Sequence, residues 1–82
     1  MEKIIKEIEA ELDFANLKHP FWPEDSVHAS AIINEEAGKL TQACIDHEND
    51  NESLDEHLDR MRKKAVSTAA MAIRFLQDFD NY

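Results

Sequence analysis

Turn-forming residues are scarce in this chain, and their scarcity limits the folds open to it. Among 82 residues there are one glycine and two prolines, whereas the good helix formers Ala, Leu, Ile, Glu and Lys are abundant. Pro20 and Pro23 each disfavour helical dihedrals in the preceding residue, so a helix that begins near the N-terminus must end near Lys18. The sequence predicts an all-α fold with three principal helices, in a single domain over residues 1–82.

The first two helices are marked by apolar residues that recur at three- and four-residue steps. The first helix is predicted over residues 2–17, with Lys and Glu between its apolar positions. The second is predicted from about residue 26 to about residue 48. Asp25 or Ser26 can cap it, because a side-chain oxygen there accepts a hydrogen bond from an unpaired first-turn amide.

The third helix is predicted to start at Leu54, where Ser53 and Glu56 have the spacing of a capping box. Its apolar positions continue for six turns, and the segment from Ala65 to Leu76 is largely small or apolar on all sides. A chain of this length buries only about 60% of its unfolded surface, so three helices leave that segment partly uncovered. We therefore expect a bundle completed by oligomerisation, as a homodimer or homotetramer.

The charge balance excludes several classes of function. The net charge is −9, and acidic residues are twice as numerous as basic ones, which argues against binding of a nucleic-acid duplex.

No apolar run approaches the ~20 residues of a membrane span, and the charged N-terminus is unlike a signal peptide, so we expect a cytoplasmic protein without membrane contact. The only cysteine, Cys44, is expected to be a reduced core residue.

The run from Ile32 to Leu40 carries adjacent carboxylates, Glu35 and Glu36, within an apolar helical face. Its apolar stripe is predicted from four residues at helical spacing: Ile33, Ala37, Leu40 and Cys44. A carboxylate near a packed face needs a metal, a cation or a proton. The sequence therefore indicates a functional site here. Gly38, inside the same helix, suggests close approach by another backbone or a ligand. Alternatively, the helix simply tolerates a glycine at this position.

Three segments together resemble the MazG-like members of the all-α nucleoside triphosphate pyrophosphohydrolases. They are HPFWPEDSVHASAII, EEAGKL and AVSTAAMAIRFL, and the resemblance covers roughly residues 19–77. That family's signature is E-x-x-E on one helix and E-x-x-D on the next, four acids that hold magnesium against a nucleotide's phosphates. The resemblance implies that Glu36 is a metal ligand and Glu35 a ligand or catalytic base, whereas Lys39 stands at the second acidic position.

Two registers are open for the second acidic pair. In one, Glu56 and Asp59 match the letters of the pattern; in the other, the positions are Lys64 and Ser67. If the second and third helices form an antiparallel pair, residues at equal distances from the turn lie side by side. That geometry favours the second register, because it places residues 64–67 beside Glu36.

In this register the expected acidic ligands are replaced by Lys39, Lys64 and Ser67. The metal site is therefore degenerate. Two ammonium groups would repel magnesium. One interpretation is that the lysines pair with Glu35 and Glu36; another is that they hold phosphate directly as point charges.

The segment HPFWP brackets two aromatic residues with prolines. Trp22 or Phe21 could present a stacking surface for a base, or act as an aromatic plug over the end of the bundle.

Two functions are therefore consistent with the sequence. The first, by resemblance, is a magnesium-dependent nucleoside triphosphate pyrophosphohydrolase with a degenerate metal site. The second is a non-catalytic acidic helical protein that binds a nucleotide or a protein partner.

Overall fold

The structure, a computed structural model, describes residues 1–49 and 53–80, and all regular structure within them is helical. The helices are α1 (Glu2–Lys18), α2 (Ser26–Asn49) and α3 (Leu54–Phe79). The predicted all-α fold with three principal helices is confirmed, and each predicted boundary lies within one residue of the observed one. The turn predicted between the second and third helices falls largely on residues 50–52, outside the described residues.

The helix ends confirm one predicted cap and correct another. The Asp25 carboxylate accepts hydrogen bonds from the amides of Val27 (3.4 Å) and His28 (3.2 Å), as expected of an N-cap. Ser53 is the N-cap of α3, but its side chain makes no capping hydrogen bond. The predicted capping box between Ser53 and Glu56 is therefore wrong, and the backbone carbonyl of Ser53 starts the helix by accepting from the amide of His57.

α3 is the helix against which both other helices pack; within the described residues, the backbones of α1 and α2 do not approach each other. α2 and α3 run antiparallel. At one end of this pair, the rings of His47 and His57 lie 5.7 Å apart, and Arg60 forms an ion pair with Asp46. None of the three helices, over the part of the chain that is described, is long and apolar enough to cross a bilayer.

The core is small and rich in alanine. Its centre consists of Ala15, Ala70 and Met71, and five partly buried residues pack on it: Ile8, Leu12, Trp22, Ile32 and Ile33. Ala29 and Ala43 of α2 are also buried. Alanine at such positions lets helix backbones come close together, although it adds little apolar area to the core.

The packed face of α2 is rotated from the stripe that the sequence predicted. Ala29 and Ala43 are buried, whereas Ala37 and Cys44 are only half-buried. Glu36 lies midway between the two buried alanines, seven residues from each, so it belongs to the row that packs on α3.

Much apolar surface remains exposed. The accessible surface is 6142 Å², whereas a compact monomer of this mass exposes about 5,000 Å². The radius of gyration is 14.0 Å, against about 12 Å for a compact chain of this length. The three helices thus form an open bundle, in which α1 and α2 each pack on α3.

One ion pair fixes the N-terminal half of α1 against α3. Arg62 donates from Nε to Oε2 of Glu7 at 2.8 Å and from Nη2 to Oε1 at 3.0 Å. The hydrogen bond from Arg62 lowers the pKa of the Glu7 carboxyl below its ordinary value. Glu7 consequently favours the folded state when it is ionised.

The two candidate caps provide a first test. Asp25→Ala should lower the free energy of unfolding by about 1 kcal/mol, because two first-turn amides lose their acceptor. Ser53→Ala should have a much smaller effect, because its hydroxyl caps nothing. Urea denaturation of both variants measures the difference. Equal losses of stability in the two variants would contradict the observed helix starts.

Acid titration provides a second test. The folded-state pKa of Glu7 is depressed, so its contribution is present above the unfolded-state pKa of about 4.3 and is lost as the pH falls through the folded-state value. Glu7→Gln should therefore lower the Tm at pH 7, and the difference from the unmodified protein should shrink below about pH 4. Glu9→Gln is the control, since Glu9 is exposed on the same helix. A difference that stays constant with pH would show that the ion pair contributes nothing.

Candidate functional site

Three charged residues on α2 form the candidate site, which we call the α2 charge cluster: Glu35, Glu36 and Lys39. The Lys39 Nζ lies 3.1 Å from Oε1 of Glu36 and 3.9 Å from Oε1 of Glu35. The side chain of Glu36 is 21% exposed, that of Lys39 48% and that of Glu35 69%. The ammonium group therefore stands between one carboxylate at the packed face and one in solvent.

Helix geometry alone brings these groups together. Residues three and four apart are neighbours on a helix, and an acid that precedes the lysine is the favourable order. The hydrogen bond with Glu36 is the main cause that raises the pKa of Lys39 above its ordinary value, and the charges of Glu36 and Glu35 act in the same direction. Lys39 is therefore held in its charged form. Of the two predicted lysines, it is the one that pairs with both carboxylates.

The packing of α2 on α3 shows which part of α3 lies beside Glu36. The contacts of Asp46 with Arg60 and of His47 with His57 set the register of the antiparallel pair. Because the pair is antiparallel, each residue back along α2 corresponds to one residue forward along α3. Glu36 therefore lies level with residues 68–70 of α3, within one turn of the predicted residues 64–67. The segment 68–72, TAAMA, contains no carboxylate.

The letter match Glu56–Asp59 lies elsewhere. At 1.5 Å per residue, these two positions are about 14 to 20 Å along the helix axis from the level of Glu36. Asp59 forms an ion pair with Lys63 of its own helix at 3.0 Å. The alternative register, in which Glu56 and Asp59 would join Glu36 around one metal, is therefore inconsistent with the observed packing.

Lys64 and Ser67 line a groove that α3 forms with α1. Its volume is about 580 Å³, and its charged lining residues come from both helices: Glu7, Glu11, Asp59, Arg62, Lys63 and Lys64. The Ser67 hydroxyl lies 3.4 Å from Oε1 of Glu11. Within residues 1–49 and 53–80, no hydrogen bond or ion pair joins Lys64 or Ser67 to Glu36 or Lys39, so the expected pairing of Lys64 with the α2 carboxylates is absent. The sequence predicted how far along α3 these residues lie, but not which way their side chains face around the helix axis.

The residues present do not fit a resident magnesium ion. Magnesium requires near-octahedral oxygen ligands, and here an ammonium group lies against the two candidate carboxylates. In the described part of the chain, no group of three or more His, Cys, Asp or Glu side chains is placed to hold a metal ion. Gly38 gives no sign of a close neighbour either, because a Cβ added there would meet nothing within 4 Å.

Trp22 packs on the core, as its predicted role of an aromatic plug requires. Its other predicted role, as a stacking surface for a base, stays a prediction. Trp22 is half-buried and packs on the Ala15–Ala70–Met71 core, whereas Phe21 is 89% exposed. The guanidinium carbon of Arg74 lies 4.9 Å from the centre of a Trp22 ring, and Arg74 Nη2 donates to the carbonyl of His19 at 2.5 Å.

Arg74 is the residue that sequence reasoning missed. It is only 6% exposed, and burial lowers the pKa of its guanidinium from the ordinary value. The one signal for it was a basic residue inside the apolar segment MAIRFL. Its cation–π contact and its hydrogen bond connect the end of α1 and the Trp22 loop to α3.

Comparison of this chain with known protein families, with characterised proteins and with solved structures gives no significant match.

Proposed function

We propose that this chain is a MazG-like protein that binds a nucleoside triphosphate or a related nucleotide without hydrolysing it at an enzymatic rate. The observation that carries this proposal is the position of Lys39, whose ammonium group contacts Glu36 at 3.1 Å and Glu35 at 3.9 Å. The Lys39 ammonium group thus lies where the family's magnesium would have to bind. The sequence resemblance supports the nucleotide as ligand, and the Lys39 contacts support the loss of turnover.

Hydrolysis in the family depends on a metal that activates water, and such a metal needs oxygen ligands from two helices. α2 offers Glu35 and Glu36. The part of α3 level with them, residues 68–72, offers no carboxylate. This chain's own residues therefore supply at most half of the expected ligand set.

Lys39 gives a nucleotide phosphate a place to bind. Its contact with Glu35 is long and exposed, and exposed ion pairs of this kind contribute little stability, so a phosphate oxygen can replace Glu35 at small cost. The shorter contact with Glu36 then keeps the ammonium group in position. Lys64, which makes no ion pair within the described residues, is a second proposed phosphate ligand, and Trp22 a proposed contact for the base.

A second proposed function is self-association, in which the protein partner is another copy of this chain. An exposed apolar surface on α3 supports this proposal. Apolar residues follow one side of α3 at steps of three and four, and we call this surface the α3 seam: Leu54, Leu58, Met61, Ala65, Ala69, Ala72, Leu76 and Phe79. Leu54, Leu58, Leu76 and Phe79 are each about half exposed or more. Large residues at both ends and alanines in the middle suit close packing against a second α3.

The surface area supports the same proposal. The chain exposes about 1,100 Å² more than a compact monomer of its mass, which is comparable to the ~800 Å² per partner that a standard interface buries. A homodimer or homotetramer that pairs the seams would account for this excess. It would also enlarge the small, alanine-rich core that the three helices form on their own.

The nucleotide proposal is tested by titrating the protein with a panel of nucleoside triphosphates, with and without magnesium. We expect saturable thermal stabilisation that does not require magnesium and that is lost in Lys39→Glu. Magnesium alone should stabilise the unmodified protein little but should stabilise Lys39→Glu, in which three carboxylates replace the ion pairs. Lys39→Gln is the matched control, since it removes the ammonium group without adding an acid.

Two outcomes would contradict this proposal. Pyrophosphate release at about 1 per second or faster would show that the metal site is intact. Absence of stabilisation by every nucleotide would exclude nucleotide binding and leave the protein-partner function. Lys64→Gln, and the response of Trp22 fluorescence to bound nucleotide, test the two additional proposed contacts.

Self-association is tested by sedimentation at micromolar concentration, where we expect at least twice the chain mass. Leu58→Lys with Leu76→Lys should give a monomer, because each places a charge on the seam. Leu17→Lys is the control: Leu17 is 85% exposed but lies on α1, outside the seam. A folded monomer of the unmodified protein, or equal dissociation in the control, would contradict pairing through α3.

A further inference from the structure

A separate cavity lies between the loop that follows α1 and the C-terminal turns of α3. Its volume is about 280 Å³, and it is lined by eight residues: Trp22, Pro23, Glu24, Ser26, Ala29, Phe75, Asp78 and Phe79. It shares no residue with the α2 charge cluster. It shares Trp22 with the proposed base contact, but the proposed phosphate ligands, Lys39 and Lys64, do not line it.

The chemistry of the walls is aromatic and acidic. Trp22, Phe75 and Phe79 supply three aromatic rings, and Glu24 and Asp78 supply two carboxylates, one from the loop and one from α3. None of the described lining residues is basic. Arg74 contacts the Trp22 ring but does not line the cavity.

Aromatic walls with carboxylates are complementary to a cation that carries an apolar body. The face of an aromatic ring attracts ammonium and guanidinium groups, tryptophan most strongly. Arg74 already uses this property of Trp22, with its guanidinium carbon 4.9 Å from the ring centre. The same ring therefore contributes both to a protein cation–π contact and to the wall of the cavity.

We infer that this cavity binds a small organic ammonium ion, with its apolar body against the aromatic rings and its charge towards Glu24 and Asp78. Anions are disfavoured, because the cavity lining offers them two carboxylates and no basic residue. The volume lies just below the ~300 to 1,000 Å³ of ordinary ligand pockets, so the ligand is about the size of one ring with a short side chain.

The test uses the intrinsic fluorescence of Trp22, the only tryptophan in the chain and part of the cavity wall. It is carried out without nucleotide, because Trp22 is also a proposed contact for a nucleotide base. Three probes of similar size and different charge are titrated: 2-phenylethylammonium, 2-phenylethanol and phenylacetate. We expect a saturable change with the ammonium ion, binding of the alcohol weaker by about tenfold, and none of the carboxylate. Equal binding of ammonium ion and alcohol, or no saturable change with the ammonium ion up to about 10 mM, overturns the inference.

Matched variants locate the charge effect. Glu24→Gln and Asp78→Asn should each weaken binding of 2-phenylethylammonium by about three- to tenfold, because each removes one carboxylate from the wall. Asp80→Asn is the control, since it changes the net charge equally near the same helix end without lining the cavity. An equal loss in the control would assign the effect to overall charge and overturn the site. Helical circular dichroism checks that each variant folds, and the selectivity among the three probes needs no variant at all.

Discussion

Close approach of the outer helices to α3 is the contact on which the rest of this structure depends. Ala15 of α1 and Ala70 of α3 are buried in the same cluster, and Ala29 and Ala43 are buried along α2. Because these side chains are small, the helix backbones come near one another. Van der Waals contacts between the closely packed helices then stabilise a core that has few large side chains. The same choice limits the apolar area that folding removes from water. A chain with so small a core has little margin unless its remaining apolar surface is also covered.

The helices themselves could be predicted because their signals are local. Pro20 ends α1, Asp25 caps α2 through its own side chain, and apolar spacing marks the body of each helix. The level of Glu36 against α3 was also predictable to within a turn, since an antiparallel pair with a short connection fixes it. Ser53 shows the limit of local signals. The letters of a capping box were present, but the side chain makes no capping bond.

Rotation of a helix about its own axis could not be predicted in the same way. A rotation by one position exchanges Glu36 for Ala37 on the packed face, and the sequence offers apolar residues on both sides of the true face. Ser67 faces Glu11 of α1 for the same reason: which neighbour a residue of the central helix meets depends on where two other helices lie. The contact of Arg74 with Trp22 joins distant parts of the chain, and no periodicity encodes it.

Phe79 belongs to two surfaces, the α3 seam and the wall of the aromatic cavity. If the seam pairs with a second copy and the cavity binds its ligand, a side chain shared in this way would link the two proposed binding events thermodynamically. If occupation of the cavity alters the contact that Phe79 offers to a second copy, association must alter the affinity of the cavity by the same factor. The C-terminal turn of α3 would then act as a point of linkage, at which the concentration of the protein itself changes the apparent affinity for a small ligand.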